Sequence, residues 1–190
     1  MSQDKNIGII YCITTPERKK YVLLAEAYYG ITIEIVESSK EGKVSSFDIK
    51  DHLNVLQKFG ETEHNVAMVL EDNFEFHEDW LNLLDDAVGK WDISQYGILL
   101  LSSYIKSSDI YIKDTMHTAI PGISGYLITK NYAKECLSFK EYDDYHVSTF
   151  IVGTRAIPAP VPIVMDSDSV KFYKGKSKYT RQLISEMLLS

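Results

Sequence analysis

Basic charge is in short supply in this chain. Lys and Arg number 20 against 27 Asp and Glu, giving a formal net charge of -7 and a pI near 5.2. With no basic stripe along any segment, a general affinity for nucleic acid is excluded, and a small molecule or a glycan fits better as partner. Cysteine is scarce too. Cys12 and Cys136 lie far apart in apolar surroundings without CxxC or Cys/His ligand spacing, and they read as buried thiols in a reducing compartment. Every apolar run falls well short of the roughly 20 residues needed to cross a bilayer. The opening stretch "MSQDKNIGIIYCITTPERK" lacks the longer apolar region and small-residue cleavage site of a signal peptide. A cytoplasmic protein without a transmembrane segment is therefore expected. Repeats and low-complexity tracts are missing. So is a glycine-rich, lysine-bearing phosphate loop, which counts against a nucleotidyltransferase that consumes a nucleoside triphosphate.

What the chain does have is an ordinary globular composition, with 45% apolar and 25% charged residues and 13 tyrosines in 190 positions. That suits one domain, residues 1–190, with a sizeable core. "IGIIYCI" predicts a buried strand running into Thr14-Thr15-Pro16-Glu17, where Thr15 is placed to cap a helix beginning at Pro16 and stopping near Gly30. "ITIEIVES" predicts a second strand. Ile49, Leu53, Leu56 and Phe59 recur at helical spacing after Ser46, with Gly60 as the stop. "VAMVL", "EDWLNLLDDAV" and "YGILLLSS" continue as strand, amphipathic helix and a strand buried on both faces. In the later part "DIYIKDTMHTAI" and "GISGYLIT" read as strands, "KNYAKECLSF" and "DYHVSTFIV" as short helices, and "RAIPAPVPIVM" as an extended segment. A C-terminal amphipathic helix closes the chain. Such alternation predicts an α/β sandwich around a mostly parallel sheet.

Ligands of open α/β sheets bind at the carboxyl ends of the strands. Thr14, Thr15 and Arg18, then Glu71-Asp72-Asn73, then Ser102-Ser103 all fall there in this reading. Asp72 and Asn73 offer carboxylate and amide oxygens suited to Mg2+ or Mn2+, though the tripeptide equally suits a polar strand-end turn. Arg18 sits where a cation opposes the helix dipole, which a pyrophosphate contact would explain, while Lys19 and Lys20 suit a solvated helix face. Of Asp143 and Asp144, one is placed to cap the following helix, leaving the other available as a general base, a role His146 can also fill. His52, His64, His77 and His117 share no ligand spacing and read as structural or solvent-facing. Gly122, Ser124 and Gly125 allow either a close backbone approach to a ligand or a tight bend. Asp166 and Asp168, followed by Lys171, Lys174 and Lys176, either complete a metal-diphosphate site or form a solvated loop.

Taken in order, these motifs resemble the family 25 glycosyltransferases, associated with lipopolysaccharide oligosaccharide synthesis and collagen galactosylation. The resemblance spans about Ile9 to Asp168 and rests on "IIYCITTPERKKYV", "GKVSSFDIKDHLNVLQKF", "VAMVLEDNFEF", "PGISGYLITKNYAKECL" and "YDDYHVSTF". It implies an A-type glycosyltransferase fold, with a nucleotide-sugar-binding half at 1–103, an acceptor-side half at 104–175 and a C-terminal helix at 176–190. It further implies a UDP-hexose donor, a glycan acceptor and inverting, cation-assisted transfer. Thr14, Thr15, Arg18, Glu71, Ser102 and Gly125 would contact the substrates, Asp72 and Asn73 the Mn2+ or Mg2+, and Asp143 or Asp144 would serve as base. The chain departs from the family pattern at Thr14, where asparagine is usual, and at Tyr21, where arginine is common. It departs again at Phe47, near an expected histidine, and at Asn73, which keeps an oxygen ligand and loses a charge. A rival expectation is a non-catalytic domain that binds a nucleotide sugar or glycan.

Overall fold

The computed structural model describes residues 5–38, 49–102, 124–138 and 156–166. Its central sheet has six strands in the order β2-β1-β3-β6-β5-β7. These are β1 (Ile7–Thr14), β2 (Glu34–Glu37), β3 (Val66–Glu71), β5 (Ile98–Leu100), β6 (Gly125–Thr129) and β7 (Ala156–Pro158). Strand β1 pairs in parallel with β2 and β3, β5 pairs in parallel with β7, and β6 runs antiparallel between β3 and β5. A second, two-stranded sheet joins β4 (Phe74–Phe76) to β8 (Val164–Asp166). The mixed, mostly parallel sheet expected from the sequence is present. The β4–β8 pairing is not legible in the sequence, because its strands are three residues each and the paired Phe76 and Val164 stand 88 positions apart.

Strand alternation sorts the core into two layers. On one face Tyr11, Ile13, Ala67, Val69, Tyr126 and Ile128 pack against α2 (Ile49–Glu61) and α4 (Lys130–Ser138) through Val55, Leu56, Phe59, Ala133 and Cys136. On the other, Cys12, Met68, Leu70, Leu99 and Leu127 meet α1 (Lys19–Tyr29) and α3 (Trp80–Lys90) through Val22, Ala25, Leu84 and Ala87. Both cysteines are free and buried, as read from the sequence, and burial pushes the Cys136 thiol up to about 12. No helix among the described residues is long and apolar enough to cross a membrane.

Helix ends depart from expectation in two places. Thr15 does not cap α1 with its side chain; its carbonyl instead accepts from the amides of Arg18 and Lys19, and the helix begins three residues beyond Pro16. Helix α2 runs through Gly60 to Glu61, and the Thr62 amide and hydroxyl both return to the Phe59 carbonyl, so Thr62 ends the helix. Gly30 behaves as read. It ends α1 in the left-handed region at φ 65°, with its amide on the Glu26 carbonyl. Gly30→Ala places a β-carbon in that region, with open space around it, and is expected to lower stability by about 1 kcal/mol in urea titrations.

Candidate active site

Parallel strands β1, β3 and β5 end on the same side of the sheet on which antiparallel β6 begins. Thr14 and Thr15, Glu71 to Asn73, Ser102, and Ser124 with Gly125 are thereby brought to one edge. Ladder bonds fix them there: the Asp72 amide donates to the Ile13 carbonyl and the Glu71 amide to the Ser124 carbonyl, both at 3.0 Å. The Ser102 hydroxyl accepts from the Gly125 amide at 3.1 Å, tying the end of β5 to the start of β6. A β-carbon on Gly125 would stand 3.0 Å from Leu70 Cδ2 and 3.1 Å from Val164 Cγ2, so glycine here lets the strand pack closely. Ser103, Gly122, Asp143, Asp144, His146, Asp168 and the lysines from Lys171 onward lie outside the described residues.

Glu71 and Asp72 are consecutive, and the pleat sends them to opposite faces. On the α1 side Asp72 accepts from the Thr14 hydroxyl at 2.8 Å and meets Arg18 Nη2 at 3.3 Å on its other oxygen. Arg18 also reaches the Asp72 carbonyl at 3.5 Å, which accounts for a cation beside a helix start. Burial pushes the Asp72 carboxyl above its ordinary value, against the opposing pull of the Thr14 hydrogen bond, Arg18 and the Thr15 backbone. Lys19 pairs with Glu37 at 2.8 Å in an exposed bridge, which suits the solvated-face reading.

On the α2 side Glu71 is buried against His52, whose Nε2 lies 3.3 Å from Oε1 and whose Nδ1 lies 3.0 Å from the Tyr126 hydroxyl. A carboxylate only accepts, so Nε2–H donates to Glu71, and Nδ1 of that tautomer accepts from Tyr126. Burial pushes the Tyr126 hydroxyl well above its ordinary range, which keeps it a donor. His52, read from the sequence as structural or solvent-facing, is buried and hydrogen-bonded, in keeping with the structural reading. A usable signal existed: His52, Val55, Leu56 and Phe59 share one helical stripe, and a histidine on an apolar stripe needs buried partners. For Tyr126 no such signal exists.

Buried polar side-chain atoms without a partner concentrate at this edge. Thr15 Oγ1, Asn73 Oδ1 and Ser124 Oγ are three of them; Tyr11 Oη is the fourth among the described residues. Asn73 Oδ1 and the carboxylate of its sequence neighbour Asp72 are both hard oxygen donors, the chemistry that suits Mg2+ or Mn2+. Among the described residues no group of three or more His, Cys, Asp and Glu side chains is placed to hold a metal ion. A Mg2+ site completed by substrate phosphates and water needs only one or two protein ligands. Register in the small sheet also sets the backbone of Asp166 opposite Phe74, the residue after Asn73.

No family model and no curated protein matches the chain in sequence. Solved structures do match in shape. A197 from STIV aligns at a TM-score of 0.50 and 11% identity over 82% of each chain. The inositol-1-phosphate CTP transferase from T. maritima aligns at 0.50 and 11% identity, over 94% of this chain and 95% of that one. A galactosyltransferase, LgtC, solved with donor and acceptor sugar analogues, aligns at 0.46 and 10% identity over 78% and 72%. At such identities the likeness is one of fold alone, the mixed α/β architecture shared with A197 and the CTP transferase.

Proposed function

We propose that the protein is a hexosyltransferase of the family 25 kind, moving a hexose from a UDP-sugar to a hydroxyl of a glycan or glycoconjugate with inversion. The observation that carries this reading is the gathering of Thr14, Arg18, Glu71, Asp72, Asn73 and Ser102 at one sheet edge. Asp72 and Asn73 would hold Mn2+ or Mg2+, and a bound cation offsets the charge of the departing diphosphate. Thr14, Thr15 and Arg18 would bind and orient the nucleotide, the guanidinium exchanging its Asp72 contact for phosphate. Asp143 or Asp144 takes the proton from the attacking acceptor hydroxyl. The nucleotidyltransferase alternative lacks support in the "TTPERKK" turn after β1, which has no glycine-rich phosphate loop.

A second reading, a non-catalytic nucleotide-sugar binder, is favoured by one observation: both oxygens of Asp72 are already engaged, by Thr14 and Arg18. Calorimetry with UDP and Mn2+, followed by a donor-hydrolysis assay over a panel of UDP-hexoses, separates the two. Metal-dependent UDP binding with release of hexose from at least one donor is the expected result. Tight binding without turnover of any donor would select the binder.

A further inference from the structure

We propose that Glu71 and Ser124 form a subsite for a sugar hydroxyl on the α2 side of the sheet, with His52 and Tyr126 as positioning residues that fix the Glu71 carboxylate. This rests on the reading that the site takes a nucleotide sugar. Ser124 and Glu71 face each other across the β3–β6 ladder, joined by the 3.0 Å bond between the Glu71 amide and the Ser124 carbonyl. Strand alternation places Ser124 on the same face as Tyr126, two residues on, and therefore on the side of His52. Ser124 is 0% exposed, yet its hydroxyl has no partner among the described residues. A buried hydroxyl that the described residues leave unpaired calls for a partner from outside them.

The chemistry of that partner follows from the two groups. His52 takes one acceptor position of Glu71 and leaves the carboxylate further acceptor capacity, while the serine hydroxyl both donates and accepts. A ligand hydroxyl, which donates to Glu71 and accepts from Ser124, satisfies both. Phosphate is repelled by Glu71 and has its own cation on the opposite face, Arg18. The division assigns diphosphate and metal to the α1 side and sugar hydroxyls to the α2 side.

Calorimetry on the full chain with Mn2+ tests this, using UDP-glucose, UDP-galactose, UDP and 2′,3′-dideoxy-UDP against Ser124→Ala and Glu71→Gln. Each variant is expected to weaken the hydroxyl-bearing ligand about tenfold. Ser124→Ala removes only an unpaired group, so its Tm should not fall, and it decides the matter alone if Glu71→Gln does not fold. Loss confined to a UDP-hexose assigns the hexose. Equal loss for UDP and UDP-hexose that vanishes with the dideoxy nucleotide assigns the ribose. Folded variants that bind every probe within about twofold of wild type overturn the subsite alone. Wild-type protein that binds none of the probes overturns both the subsite and the proposed function.

Discussion

Replacing Asp72 by asparagine is expected to stop donor turnover while leaving the protein folded and, at neutral pH, no less stable. Asparagine keeps an acceptor for the Thr14 hydroxyl, which lies 2.8 Å from Oδ2, and removes the charge that a divalent cation needs. Loss of that charge stabilisation is worth several kcal/mol, or about 10²–10³-fold in kcat. Unchanged turnover in a folded variant would remove Asp72 from the metal site. The stability side follows from the direction of the carboxyl's shift. Burial raises it above 3.8, so between the unfolded and folded values the native state binds more protons than the unfolded chain. Stability therefore falls as pH rises through that window, and this contribution is absent from Asp72→Asn. Thermal melts should show the variant gaining on wild type as pH rises from below 3.8 toward neutrality. A protein that destabilises its own fold by burying a charge at a strand end is consistent with a site kept for binding.

Gly97→Ala should be the most damaging single methyl in the described core. Its β-carbon would stand 2.2 Å from Cγ and 2.4 Å from Cβ of Tyr132. The Tyr132 β-carbon is fixed to α4, so relief requires the helix to rise from the sheet, and the Thr129 amide that donates to the Gly97 carbonyl at 3.0 Å would be pulled with it. A loss of about 3 kcal/mol is expected, visible as a lower urea midpoint at unchanged m. Gly8→Ala supplies the contrast. Its β-carbon would come as near to the His64 ring, 2.3 Å, and 2.7 Å from His64 Cβ, which no ring rotation moves. Exposed His64 stands in the loop before β3, where the backbone can give, so the cost should be smaller, about 1–2 kcal/mol.

The two cases show which parts of the molecule were open to reading from sequence. Signals carried within one segment were legible: the apolar run of β1, the "VAMVL" strand before the acids, the Gly30 stop and the apolar stripe of α2. Pairings between distant segments were not. Arg18 meets Asp72 across 54 positions, and His52 meets Tyr126 across 74, and neither partner alters the periodicity of the other's element. The Thr15 cap failed for a related reason. Its carbonyl closes the turn, its Oγ1 lies unpartnered at the sheet edge, and the helix starts only where the turn ends. Local propensity names the elements, and the topology decides which polar groups they bring together.

Placing two acids in succession at the end of β3 makes the site's wiring a matter of parity. Because neighbouring residues on a strand face opposite ways, inserting or deleting one residue before Glu71 would exchange the addresses of the two carboxylates, handing Arg18 the one meant for His52. A change of two residues would restore the facing and alter only the reach. Length variation just upstream of the acids is therefore constrained in steps of two, a tighter rule than the composition of the loop after them imposes.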